Sequence, residues 1–420
     1  MLQVLFSLVL LLTIVFLFRS FRRLKVNFSR TKDSQFDGQV GKRLKLTAQV
    51  ALGQTKILRK PIIGLMHALV FWGFIVITIG SLEMVIDGLT GQHRVFGALG
   101  VAYDAIIASG DVFAYIVLLG ILAFLFRRLV MHIRRFEGME LTKANKTDAN
   151  IALGFILLLM VSLIGLNITD LKLHTLDLAG FYPVSETVAQ YIELNKNSLK
   201  LMYHIFWWSH ILLIFIFANY LPYSKHFHVF MSVPNVFFSN LKPLTYLPSM
   251  PEVKKEVELM LSGNAFDTTA QSEPARFGVK DVEDITWKNY MDSLTCTQCG
   301  RCTEVCPANI TGKVLSPRKI FVDIRARMEE RYREKNASGK FLLGDYISKE
   351  ELWACTTCNA CAMECPLNIS HPNLIVDMRR YLVLEEGDAP DELNAMFANI
   401  ENNGAPWKYS AEDRLKWTEA

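Results

Sequence analysis

The chain has 420 residues, enough for two or three folded units. Apolar residues make up 51% and charged residues 20%, with a positive mean hydropathy, which excludes a disordered chain and argues against a fully soluble one. A net charge of +4 with no basic block leaves no footprint for nucleic acid.

Five apolar runs come first: Leu2 to Phe18, Ile62 to Leu82, Tyr103 to Phe126, Ile151 to Leu166 and Met202 to Leu221. Each is close to the length that crosses a bilayer as a helix, the form that satisfies the backbone internally in lipid. A secretory signal is the alternative for the first run, but it carries its basic residues ahead of the apolar stretch. Here Arg19, Arg22, Arg23 and Lys25 follow it, which fits an uncleaved anchor. Eighteen lysines and arginines lie in 19–60 and 127–146, against Arg94, Lys172, Lys196 and Lys200 in the other two loops. The basic loops are therefore expected in the cytoplasm, with the N-terminus outside and the half after the fifth span cytoplasmic. Trp207 and Trp208 at one end of span five, and Tyr220 and Tyr223 at the other, suit interfacial belts.

Histidines inside spans need a reason, because polar side chains there are rare and usually functional. His67 sits near the start of span two, His210 inside span five and His228 just beyond it. His210 and His228 are separated by five helical turns, so on a straight helix they share a face about 27 Å apart. Pro222 between them should kink or loosen that helix. Stacked haems would use such a pair, since neutral imidazole is an axial ligand for iron. The plainer reading has each histidine bonding a neighbouring helix. His204 and His226 face elsewhere, and His132 lies in a basic loop.

The stretch WSHILLIFIFANYLPYSKHFHVFMSVP, residues 208–234, resembles the last span of the nitrate reductase gamma-subunit family of dihaem b-type cytochromes. His210, Pro222, Lys225, His228, Phe230, Ser232 and Pro234 match its features. HALVFWGFIVITIG, from His67, resembles that family's second span, where His67 matches the first ligand. The position of the second ligand is Ile77. The resemblance implies a cytoplasmic-side haem b on His67 and His228, and an outer haem with His210 as one ligand. His93, His174 and His204 are candidates for the other ligand; the alternatives are a five-coordinate outer haem or none.

All eight cysteines fall between 296 and 365. CTQCGRCTEVCP (296–307) and CTTCNACAMECP (355–366) each read C-x2-C-x2-C-x3-C-P, the bacterial ferredoxin spacing, in which the fourth cysteine serves the other cluster. Cys296, Cys299, Cys302 and Cys365 are thus expected to hold one 4Fe–4S cluster, and Cys355, Cys358, Cys361 and Cys306 a second. Zinc wants four ligands in two separated pairs, and a disulfide framework suits neither the compartment nor the spacing. Between the motifs, Ser316 and Pro317 should open a helix as N-cap and first residue, ended by Ala337, Ser338 and Gly339. Arg301, Lys313, Arg318 and Lys319 beside the first motif are expected to be solvated, with offset of thiolate charge as the functional alternative. His371 is expected to cap the helix after the second motif.

DITWKNYMDSLTCTQCGRCTEVCPA, LWACTTCNACAMECP and NIENNGAPWKYSAEDRLKW resemble the C subunit of heterodisulfide reductase and related membrane-bound iron–sulfur oxidoreductases. The order of modules is similar to that of electron-transfer-flavoprotein:menaquinone oxidoreductases. In fused relatives the stretch matched by Asn402, Asn403, Gly404, Pro406 and Trp407 precedes a CCG-type catalytic domain. The resemblance implies a heterodisulfide reductase B-like CCG subunit as a separate partner, an electron-transfer flavoprotein or another cytoplasmic donor, and menaquinone as substrate.

The expected fold is all-α: a five-helix transmembrane cytochrome b bundle (1–234), a linker (235–280), a cytoplasmic ferredoxin-type dicluster domain (281–390) and a tail that docks a partner (391–420). The expected function is electron transfer between a cytoplasmic partner, two 4Fe–4S clusters, haem b and the quinone pool, in the bacterial cytoplasmic membrane. The protein would supply binding and electrostatics while the cofactors carry the chemistry. The rivals are a membrane-anchored dicluster ferredoxin without haem, and a redox-sensing module, which would need an output domain.

Overall fold

Each of the five apolar runs forms a long helix in the computed structural model, which describes residues 2–34, 36–131, 133–138, 140–174, 179–262, 276–334 and 339–419. These are α1 (Leu2–Phe28), α2 (Pro61–Thr90), α3 (Val101–Leu129), α4 (Lys143–Leu173) and α5 (Lys196–Tyr220). All five are long and apolar enough to cross a membrane, and the protein is a multi-pass membrane protein. The helices outrun the apolar runs because their polar end turns remain helical. Their ends follow local chemistry. Pro61 opens α2, and Gly91, at φ +73, closes it with its N–H on the Asp87 carbonyl. Thr142 and Asn195 cap α4 and α5 by accepting from Asn145 N and Ser198 N.

Successive spans pack as neighbours, α2 on α3, α3 on α4 and α4 on α5, while α1 lies against α5 and α2. Without a hydrophobic force between helices in lipid, close packing carries the association. Glycines allow it: Gly73 faces Val117 and Phe113 of α3, and Gly165 faces the Phe206 ring of α5. Phe6 of α1 seats between Trp207, Trp208 and Phe215, with ring centroids 5.9–6.4 Å apart.

The helix from His210 toward His228, expected to kink or loosen at Pro222, ends there instead. Pro222 lacks an amide hydrogen, and α5 gives way to 3₁₀ turns at Leu221–Tyr223 and Lys225–Phe227. A new helix, α6 (His228–Phe237), begins at the second histidine itself. The two histidines therefore sit on separate elements.

The cysteine-rich half is built from α7 (Trp287–Thr295), α8 (Pro317–Arg333), α9 (His371–Leu384) and α10 (Asp391–Asn403), with short turns between them. No strand occurs among the described residues. It docks on the end of the bundle that carries 29–60 and 130–142. Arg23 pairs with Glu329 at 2.9 Å, Asn27 donates to the Tyr290 hydroxyl at 3.0 Å, and Arg318 pairs with Glu140 at 2.7 Å. Leu24, Leu221 and Phe227 share one core with Ile285, Tyr290, Phe321 and Met378.

Two expectations about α8 change. Ser316 is its N-cap by position, but its hydroxyl donates to Glu140 Oε1 at 2.6 Å instead of capping. The helix ends at Arg333, where Glu334 turns extended, short of the expected stop. Ala337 and Ser338, the candidate His132 and part of the 235–280 linker (263–275) lie outside the described residues; Pro251–Leu261 of that linker is helical.

Candidate functional site

The two cysteine motifs adopt one loop design twice. A capping box between Thr286 and Asn289 starts α7, which delivers Cys296 at its C-cap. The capping box of Ser348 and Glu351 starts helix Lys349–Trp353, which ends just before Cys355. Within each loop, the second residue after the first cysteine and the residue after the second cysteine have positive φ: Gln298 and Gly300 in the first, Thr357 and Asn359 in the second. Left-handed residues bend the chain into a concave ring and are costly for side-chain-bearing residues, most of all β-branched Thr357. The fourth cysteines stand where the chain redirects. Cys306 is extended, at the N-cap of the short helix Pro307–Ile310.

Arginines brace both loops alike. Arg325 of α8 donates to the carbonyls of Ser293 and Cys296. Arg379 of α9 donates to the carbonyls of Leu352 and Cys355. Each pair of carbonyls lies three residues apart, at the end of the helix that feeds the motif. No spacing in the sequence announces these clamps, because the arginines come from different distances along the chain.

Folding sorts the cysteines into two recesses. One is lined by Cys296, Cys299, Cys302 and Cys365, with Arg301, Arg318 and His371. The other is lined by Cys306, Cys355, Cys358 and Cys361. Burial pushes the thiols of Cys296, Cys302 and Cys355 up, and those of Cys361 and Cys365 up to about 12. Crowded thiols of this kind become ligands when metal replaces their protons, so the donor set fits a metal–sulfur group in each recess. The recesses differ in exposure: Cys358 is exposed, whereas the first contains only buried or half-buried cysteines.

The solvation expected for the basic residues holds for Lys313 but not for the arginines. Arg301 and Arg318 are buried in the wall of the first recess. Arg318 is held by Glu140, Arg135 O and Gln298 O. Lys319 is half-buried between Asp323 and Glu351. His371 does not cap α9; it is that helix's first residue, buried edge-on against Phe321 with Nδ1 unpartnered. Lys56, on the short helix Thr55–Leu58 before α2, donates to Cys365 O at 3.1 Å and accepts from Arg301 through its own carbonyl, which joins the first recess to the membrane bundle.

Beside that junction lie His67 and His228, within electrostatic reach of one another. His67 Nδ1 is 3.0 Å from Gln54 Oε1, and the Gln54 amide nitrogen is committed to Ala51 O at 2.9 Å. Gln54 therefore accepts and His67 donates through Nδ1. His228 Nδ1 donates to Lys225 O at 3.1 Å, and burial pushes its imidazole down to about 4, the neutral form. His210 Nδ1 donates to Leu159 O at 3.1 Å and lies 2.9 Å from Ser162 Oγ. Its buried Nε2 has no partner. All three imidazoles thus have Nδ1 engaged and Nε2 left for coordination, the arrangement a metal-ligating histidine needs. Gln54, after a π-helical turn at Ala48–Leu52, and Ser162 were not singled out by sequence, where an orienting partner leaves no periodic mark.

The candidates for a second ligand opposite His210 go elsewhere. His93 and His174 both contact Asp170, at 3.3 and 2.9 Å. His204 is exposed and packs against Tyr203. Ile77 packs with the apolar cluster around Ala114, Val117 and Ile121.

Residues 295–369 match a family model described as a 4Fe-4S dicluster domain. The chain is 28% identical to the probable iron-sulfur-binding oxidoreductase FadF of Bacillus subtilis, over 91% of this chain and 56% of that protein. It is 28% identical to the EtfAB:quinone oxidoreductase of Syntrophomonas wolfei, over 96% of this chain and 57% of that protein. A shorter match, 36% identical over 34% of this chain and 24% of the other, is to a probable membrane-anchored ferredoxin of Chromohalobacter salexigens. The chain spans a little over half the length of the first two relatives. No solved structure matches it significantly. The chain is thus similar to iron–sulfur oxidoreductases and, over shorter stretches, to heterodisulfide reductase subunits C and D of Methanosarcina acetivorans, and its five membrane helices are followed by a 4Fe–4S dicluster domain.

Proposed function

We propose that this chain passes electrons between a cytoplasmic partner and membrane menaquinone. Cys296, Cys299, Cys302 and Cys365 would hold one 4Fe–4S cluster, and Cys355, Cys358, Cys361 and Cys306 the other. His67 with His228 would hold haem b next to the first recess, and His210 is this chain's ligand for a second haem. Bound there, these groups would supply one-electron chemistry between a soluble carrier and a quinone. The chain's own part is to set the order: the exposed recess toward solvent, the buried recess against the bundle, the histidines within it. The observation that carries the reading is the common state of His67, His210 and His228, each with Nδ1 hydrogen-bonded and Nε2 left for iron.

The partner would approach the second recess, where Cys358, Met363 and Ile310 are exposed. The proposed divisions at 1–234, 235–280, 281–390 and 391–420 leave a tail suited to the same task. Its helix α10 has no buried residue, and Trp407, Tyr409 and Trp417 beyond it are exposed. The EtfAB:quinone oxidoreductase name of one relative supports an electron-transfer flavoprotein as donor, and the heterodisulfide reductase likeness supports a B-like CCG subunit. The basic loops support a cytoplasmic cysteine-rich half with the N-terminus outside.

A membrane-anchored ferredoxin without haem is the second reading. It is favoured by Ile77 at the missing ligand position and by the name of the Chromohalobacter relative. Haem b per polypeptide, measured on protein purified in detergent without oxygen, separates the two. A value near two or near one supports the proposal, with His67 and His228 as the site retained at one; a value near zero leaves the anchored ferredoxin.

A further inference from the structure

At the end of the bundle away from the cysteines, three side chains converge that electron transfer does not use. His93 lies in the loop after α2, and Asp170 and His174 lie at the end of α4. Their donor atoms all fall within 4.8 Å of one another. His93 Nε2 and His174 Nδ1 approach the same oxygen, Asp170 Oδ1, at 3.3 and 2.9 Å. The two imidazole rings are 5.2 Å apart. We propose that His93, Asp170 and His174 form a binding site for a divalent metal ion of the zinc class.

Ligand type and spacing point the same way. Two imidazoles and one carboxylate form a three-residue set of the kind zinc accepts, with a fourth position left for water. Bonds of about 2.0–2.1 Å at tetrahedral angles put neighbouring ligand atoms about 3.3 Å apart, close to the two histidine–carboxylate separations of 3.3 and 2.9 Å. Asp170 Oδ1 can accept both hydrogen bonds; a shared ion would in addition use the gathering of all three ligand atoms within 4.8 Å.

The surroundings are built to hold the carboxylate and admit an ion. Asp170 is 1% exposed, and its other oxygen, Oδ2, accepts from Arg94 at 2.9 Å. This is the outer hydrogen bond that orients a ligating carboxylate. His93 and His174 are 45% and 46% exposed, so bulk ions can reach them. The loop carrying His93 is fixed on both sides. Gly91 closes α2, the backbone N–H groups of Arg94 and Val95 donate to Asp87, and that of Phe96 donates to Glu83. Three carboxylates, Glu83, Asp87 and Asp170, meet Arg94 here, so the local balance favours a dication. An ion at this point would tie the α2–α3 connection to the end of α4.

The test uses the full chain in detergent, with clusters intact and without oxygen. Zinc is added by equilibrium dialysis and counted per chain by mass spectrometry, with iron measured in the same sample. The wild type is expected to retain about one zinc ion per chain. His93→Ala and His174→Ala should each bind it at least about tenfold more weakly, with iron and helicity unchanged. His204→Ala, a nearby exposed histidine outside the cluster, should bind like the wild type. Failure of the wild type to retain zinc, or retention unaffected by both ligand substitutions, would overturn the proposal.

Discussion

His228 shows how much of this site depends on single atoms. Its Nδ1 is tied to Lys225 O, its ring is neutral, and it stands at the first residue of α6 where the fifth membrane element has already broken. Replacing it would remove the proposed haem ligand but no core packing around the cysteines. His228→Ala is expected to lose the haem nearer the clusters while the iron–sulfur signals remain; an unaltered haem spectrum in this variant would refute the assignment. Cys306 tests the crossed sets. It lines the recess of the second motif although it belongs to the first. Cys306→Ser is expected to damage the cluster held by Cys355, Cys358 and Cys361, seen by paramagnetic resonance of the reduced protein. Damage confined to the other cluster would contradict the crossing. Both residues were legible in sequence because their signals are local: a fixed cysteine spacing, and a histidine where a span should be apolar. Gln54, Ser162, Arg325 and Arg379 were not, because each acts through a contact made far along the chain.

At the scale of elements, the two cysteine loops make a natural comparison. Both need a left-handed residue after the second cysteine, and the chain uses Gly300 in one and Asn359 in the other. Asparagine tolerates that conformation, so φ alone does not demand glycine. Gly300 has a second constraint: a Cβ there would lie 2.9 Å from Arg135 O and 2.8 Å from an Arg318 nitrogen. Gly300→Ala should therefore destabilise the protein by about 1–3 kcal/mol, read as a lower thermal midpoint and faster iron loss. Gly300→Asn should not restore it, despite the asparagine in the sister loop; wild-type stability in that variant would mean that crowding is unimportant. The spans themselves were legible because runs of this length have few other folds. The break at Pro222 was foreseen only as a kink, since a periodic count of turns cannot tell a bent helix from one that ends. The solvated arginines were misjudged because charge pattern does not reveal a buried acceptor such as Glu140.

For the whole molecule, the arrangement is a graded burial from one end to the other. Exposed Cys358 lies at the solvent side, Arg301 and Lys56 link the buried recess to the bundle, and His210 lies inside the bundle with an unpaired nitrogen. The order of these parts along the chain was readable from composition. Their spatial relation was not, because it depends on ion pairs such as Arg23 with Glu329 and Arg318 with Glu140, whose partners lie in different halves of the sequence.

The core shared by Leu24, Leu221 and Phe227 with the cysteine-rich half bears on how the protein is made. A core completed by residues flanking membrane spans cannot close until those spans are inserted, since the exposed apolar face would otherwise meet water. Insertion therefore precedes final folding of the cysteine loops. Metal delivery is then a late event at the membrane surface, and the cysteine-rich half produced without its bundle would be prone to aggregate before any cofactor arrived.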